Sequence, residues 1–115
     1  MKAIIYHNSR CAKSREALSY LQNTKYELQI IDYFNSPLSF AQLDNLIQLL
    51  DISPDDLIRK NENEWKLNFS KSELNDEELI YSMIEFPKLM QRPIVVIGNK
   101  GVVARPVSLI EGLLE

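Results

Sequence analysis

The chain has 115 residues, 45% of them hydrophobic and 25% charged, the balance of one ordinary globular domain able to bury a core. A net charge of −3 argues against nonspecific nucleic-acid binding, and no apolar run approaches the ~20 residues of a membrane-spanning helix. A single cysteine, Cys11, excludes an intramolecular disulfide and every multi-cysteine metal site.

Residues 2–6 are apolar and partly β-branched and predict a buried strand. They run straight into His7-Asn8-Ser9-Arg10 without the apolar stretch of a signal peptide, so the expected address is cytoplasmic. A helix should follow over about 12–23, with Ala17, Leu18 and Leu21 on its apolar face. Tyr26, Leu28 and Ile30 alternate, as in a second strand ending near Asp32. Strand, helix and strand in so short a span make a βαβ unit with a parallel pair.

The middle of the chain reads as helical. Ser39 and Gln42 form a capping box ahead of Phe40, Leu43, Leu46, Ile47 and Leu50. Ser53-Pro54 begins a short helix, with serine as cap and proline in the first turn. Residues 60–72 are polar and carry no clear periodicity. Asn75 and Glu78 open another helix through Leu79, Ile80, Met83 and Ile84, which stops before Pro87. Residues 94–97 are a β-branched strand, 98–101 a turn, and 102–104 the returning arm of a hairpin. Pro106 starts a last helix through Leu109, Ile110, Leu113 and Leu114. The order β-α-β, helical block, β-β-α fits an α/β, thioredoxin-like fold with a four-stranded mixed sheet. A single domain over 1–115 is expected, with the helical insertion at about 36–90.

The chemistry begins at Cys11. A cysteine at the start of a helix meets free backbone N–H groups and partial positive charge, both of which favour the thiolate. A lone cysteine is commonly a small core residue, but His7, Arg10, Lys13 and Arg15 give this one polar, basic neighbours. His7, the only histidine, is near enough along the loop to stabilise the thiolate as a cation or to take its proton as a base. Arg92 and Arg105 each precede a proline, which favours extended backbone, and both flank the hairpin. A planar guanidinium suits a tetrahedral oxyanion better than a lysine does.

Taken together, these residues resemble the glutaredoxin-coupled arsenate reductases. Tyr6-His7-Asn8-Ser9-Arg10-Cys11-Ala12-Lys13-Ser14-Arg15 is similar to that family's active-site loop, Tyr-His-Asn-x-x-Cys-x-x-Ser-Arg. Leu57-Ile58-Arg59-Lys60-Asn61, Gln91-Arg92-Pro93-Ile94-Val95-Val96 and Arg105-Pro106 resemble its three later arginine signatures, in order. The chain departs from many members in Ser9, where they carry proline, and in Ala12-Lys13, where they carry glycine-threonine.

The resemblance implies that Cys11 is the nucleophile, that His7 lowers its pKa, and that Ser14 hydrogen-bonds near the sulfur. It also implies that Arg59, Arg92 and Arg105 bind the oxyanion with Arg15 in support, and that Pro93 is the cis-proline of the fold. The substrate implied is arsenate, with glutathione as co-substrate, glutaredoxin as reductant, arsenite as product and no bound cofactor or metal. A monomer without nucleic-acid or membrane partners is expected. The single cysteine agrees independently, because a chain without a second thiol cannot resolve a covalent intermediate by forming its own disulfide. The alternatives are an Spx-like transcriptional regulator that binds RNA polymerase, or a glutathione-dependent thiol enzyme with another substrate. The redox-regulated members of the former carry a Cys-x-x-Cys pair, and Ser14 stands at its second position here.

Overall fold

A computed structural model describes residues 2–69 and 73–114. The chain divides into two compact units, one comprising Met1–Ser36 and Arg92–Glu115, the other Pro37–Gln91.

The first unit contains β1 (Lys2–Tyr6), α1 (Ala12–Gln22), β2 (Glu27–Ile31), β3 (Ile94–Ile97) and β4 (Lys100–Val103). The sheet order is β2-β1-β3-β4. β1 and β2 are parallel, with Ile5 opposite Ile30, while β1–β3 and β3–β4 are antiparallel. This is the mixed four-stranded sheet of a thioredoxin-like fold. All four residues of β3 are buried, which explains why its sequence is an unbroken apolar run rather than an alternating one. On one side Ala3, Ile5, Val95 and Ile97 pack with Ala17 and Leu21 of α1 and with Ile110. Burying each larger aliphatic side chain here contributes roughly 1.5–3 kcal/mol. β2 lies at the sheet edge, and its Ile30 is 50% exposed, so the alternation read there does not carry through to a fully covered face.

Two local expectations change in this unit. The hairpin turn is two residues, Gly98-Asn99, rather than four, because Ile97 pairs with Lys100. Gly98 takes φ +65°, the left-handed backbone that a tight hairpin compatible with strand twist requires. The last helix is a 3₁₀ helix, Val107–Leu113. Val107, Ile110 and Leu113 recur every three residues and join or pack against the core, matching three residues per turn, whereas Leu109 is 45% exposed.

In the second unit α2 (Phe40–Leu50) has a complete capping box: the Gln42 amide donates to Ser39 Oγ at 3.1 Å, and Gln42 Oε1 accepts from the Ser39 amide at 2.9 Å. A 3₁₀ helix, Pro54–Leu57, follows. α3 (Asn63–Asn68) occupies part of the stretch without clear periodicity; residues 70–72 of that stretch lie outside the described residues. α4 (Asp76–Glu85) has its own capping box from Asn75 and Glu78. Its first turn carries Asp76, Glu77 and Glu78, and acidic side chains there complement the helix dipole. A 3₁₀ turn, Pro87–Leu89, completes the unit. Phe40 stacks on Tyr81 at 5.0 Å, joining α2 to α4. The Arg59 amide donates to the Leu89 carbonyl at 2.7 Å and the Gln91 amide to that of Leu57 at 2.8 Å. Among the described residues no helix is long and apolar enough to cross a membrane.

Candidate active site

The segment after β1 folds into a tight loop because its polar groups bond one another. The His7 amide donates to the Ile31 carbonyl at 2.9 Å, anchoring the loop to the end of β2. The Asn8 carbonyl accepts from the Cys11 amide at 3.0 Å, and Asn8 Oδ1 accepts from the Arg10 amide at 3.1 Å. An asparagine side chain that bonds the backbone two residues on is a turn-forming device. Asn8 is therefore a structural member of the site, with a role that its place in the motif does not by itself announce. The Arg15 guanidinium donates to the Ser9 carbonyl at 2.9 Å, bracing the loop from α1.

Cys11 is the N-cap of α1, with extended backbone and a half-buried thiol. The thiol makes no capping hydrogen bond; the helix amides act on it once the proton leaves. Burial pushes the thiol pKa up. The Ser14 amide, the Arg92 side chain and the Lys13 amide pull it down, and the balance lies below the ordinary thiol range. Lys13 and Ser14 are the second and third residues of the helix, where free N–H groups point at an N-cap side chain. Only the helix boundary, not the side chains of these two residues, signals that contribution in the sequence.

Ser14 is fully buried. Its Oγ accepts from the Asn8 amide at 3.0 Å and lies 3.0 Å from His7 Nδ1. His7 itself is buried, and that burial lowers its pKa despite the nearby Asp32 charge and its bond to Ser14. The neutral imidazole is therefore favoured at pH 7. The loop spacing predicts His7 beside the sulfur as a cation or base; its hydrogen bond instead goes to Ser14, and the positive charge acting on the sulfur is that of Arg92.

The Arg92–Pro93 bond is cis, as is Arg105–Pro106. Pro93 leads into β3, and its carbonyl accepts from the Ala104 amide at 2.8 Å. The Arg105 guanidinium donates to the Arg92 carbonyl at 3.3 Å, holding the backbone that carries Arg92. The first unit thus brings together Cys11, Ser14, His7, Arg15, Arg92 and Arg105. Arg59 belongs to the second unit, where its guanidinium is 3.0 Å from Glu62. No group of three or more histidine, cysteine, aspartate or glutamate side chains suited to a metal ion occurs among the described residues.

A thiol biased toward thiolate at a helix start, with a guanidinium against it, is built to attack an electrophile that carries oxyanion charge. Residues 6–112 match the ArsC family. The chain is 42% identical over 104 residues to the uncharacterised protein YfgD of Escherichia coli K12, covering 89% of this chain and 87% of that one. It is 31% identical over 112 residues to an arsenate reductase of Neisseria meningitidis, covering 96% of each. The solved structure of an arsenate reductase from Vibrio cholerae is 37% identical and superposes with a TM-score of 0.92, over 99% of this chain and 98% of that one. With its matched residues running from the end of β1 to the last 3₁₀ helix, this chain belongs to the ArsC family.

Proposed function

We propose that this chain is a glutathione- and glutaredoxin-dependent arsenate reductase, an oxidoreductase acting as one domain and as a monomer. The observation that carries the reading is the Cys11 sulfur at the start of α1, its thiolate favoured by the Ser14 amide and the Arg92 guanidinium. A tetrahedral oxyanion approaching that sulfur gains the same donors as its charge develops. Arg105 completes the oxyanion site within the first unit and Arg15 keeps the loop in place; Arg59 is a further oxyanion ligand that the family resemblance implies. His7 is a positioning residue that acts through Ser14.

In the reaction, the Cys11 thiolate bonds to arsenic and an arsenate oxygen leaves as water. Glutathione sulfur then bonds to arsenic with loss of a second water. A glutaredoxin thiol attacks that glutathione sulfur, the sulfur–arsenic electron pair passes to arsenic, and a mixed disulfide departs. Arsenic is reduced by two electrons while two thiols are oxidised. Water finally releases arsenite and returns Cys11 to the thiolate. The chain has one cysteine, so the resolving thiols come from outside it. An unpaired, half-buried thiol of this kind suits a reducing, cytoplasmic setting.

The test is arsenate-dependent NADPH oxidation coupled through glutathione reductase, glutathione and glutaredoxin, with arsenite measured as product. Turnover should vanish with Cys11→Ser and when glutathione is omitted. No arsenite in the complete system, or full activity with thioredoxin alone and no glutathione, would overturn the reading.

A further inference from the structure

Beside the cysteine loop lies a second feature that none of these roles uses. A cleft of about 230 Å³ opens between the loop after β1 and the turn after β2, lined by Asn8, Ser9, Arg10, Asp32, Phe34 and Asn35. It sits at the carboxyl ends of two parallel strands, where open α/β sheets commonly take ligands. Its volume is below the 300–1,000 Å³ of pockets for drug-sized molecules, so it suits a group about as large as one amino acid.

The charges in the cleft have an unusual relation. Asp32 and Arg10 both line it, yet among the described residues they form no ion pair with each other, and the Arg10 guanidinium makes no hydrogen bond. Asp32 is a fixed anion. Its Oδ1 accepts from the Phe34 and Asn35 amides at 3.2 Å each, and its Oδ2 from Asn35 Nδ2 at 2.6 Å. A carboxylate has about four acceptor sites, which leaves one for a ligand. The Arg10 backbone is held by Asn8 Oδ1, while its side chain is exposed. A fixed anion and an exposed cation that line one small cleft without pairing match a ligand that carries both charges. Arsenate is not that ligand, because Asp32 repels it.

We propose that this cleft binds the zwitterionic α-amino-acid end of the resolving thiol, the γ-glutamyl group of glutathione, with its ammonium on Asp32 and its carboxylate on Arg10. Phe34 lies against the methylene chain. Arg10 immediately precedes Cys11, about 3.8 Å between successive Cα atoms, so a ligand anchored here is bound on the loop that carries the cysteine. This inference rests on the proposed use of glutathione, and it adds where that thiol is recognised and by which charges.

The experiment is equilibrium binding of S-methylglutathione and of S-methyl-cysteinylglycine, which lacks the γ-glutamyl group, to the wild type, Asp32→Asn and Arg10→Gln. Asparagine at position 32 keeps the acceptor for the Phe34 and Asn35 amides, so the turn survives, and circular dichroism checks it. The wild type should prefer S-methylglutathione, and each variant should weaken that ligand about tenfold or more, as loss of a charge-assisted bond does, with little change for the shorter one. Equal weakening of both ligands, or no weakening of either, would overturn the proposal, as would a wild type without preference. The coupled assay on the wild type separates the two readings. Preference for the γ-glutamyl ligand without arsenate turnover supports the cleft and removes the reductase. Glutathione-dependent turnover with unaffected binding in both variants retains the reductase and removes the cleft.

Discussion

Replacing Ser14 with alanine isolates the contribution of its buried hydroxyl to the cysteine loop. Ser14 is fully buried, and its Oγ serves the Asn8 amide and His7 Nδ1, each at 3.0 Å. Alanine fills nearly the same volume, so no cavity opens; what changes is that the Asn8 amide loses its acceptor and the imidazole its partner. Asn8 and His7 are both 8% exposed, so water does not simply replace the hydroxyl. A buried donor left unsatisfied costs about 1–3 kcal/mol. With a urea m-value of about 1–3 kcal/mol per molar, the unfolding midpoint should fall by roughly 1 M. Adding His7→Ala to the variant should cost less than His7→Ala costs alone, because the two side chains share a bond. The Ser14 amide that favours the thiolate belongs to the backbone and survives the substitution. Stability should therefore suffer while the alkylation pH midpoint of Cys11 moves less than it does in Arg92→Ala. A midpoint in urea equal to the wild type's, within about 0.3 kcal/mol, would refute the reasoning, since changes that small are typical of exposed surface positions.

Alkylation of Cys11 should show a pH midpoint below the free-thiol value of about 8.5, rising in Arg92→Ala. In arsenate kinetics that variant should lose roughly 2–4 kcal/mol of transition-state stabilisation, about 30- to 1000-fold in kcat/KM. Lysine should rescue it poorly because it lacks the planar fork, and Arg59→Ala and Arg105→Ala test their own roles in the same assay. His7 followed by NMR should titrate below 6.5, because burial disfavours its charged form. With the folded pKa depressed, the unfolded chain takes the proton more readily, so stability is fully present above pH 6.5 and declines as pH falls below it. A urea midpoint that is the same at pH 7 and pH 5.5 in the wild type would contradict this.

Much of the fold follows from local chemistry that a sequence displays. Ser39 with Gln42 and Asn75 with Glu78 are reciprocal caps whose bonds close within four residues, so they declare their helices without help from the rest of the chain. The unbroken run of β3 announces burial on both faces. The hairpin register and the 3₁₀ form of the last helix were harder to read, since pairing Ile97 with Lys100 and seating Val107, Ile110 and Leu113 are decided by the surfaces they pack on.

The site divides in the same way. Cys11, its helix start and the basic and polar residues around it are contiguous and legible in the sequence. Tertiary structure alone decided that His7 bonds Ser14 and is buried toward its neutral form, that Arg92 from the far end of the chain reaches the sulfur, and that Asp32 and Arg10 share a cleft. The reason is physical. Backbone hydrogen bonds and apolar periodicity are properties of neighbouring residues, whereas burial and the pairing of distant charges exist only once β1, β2 and β3 lie side by side.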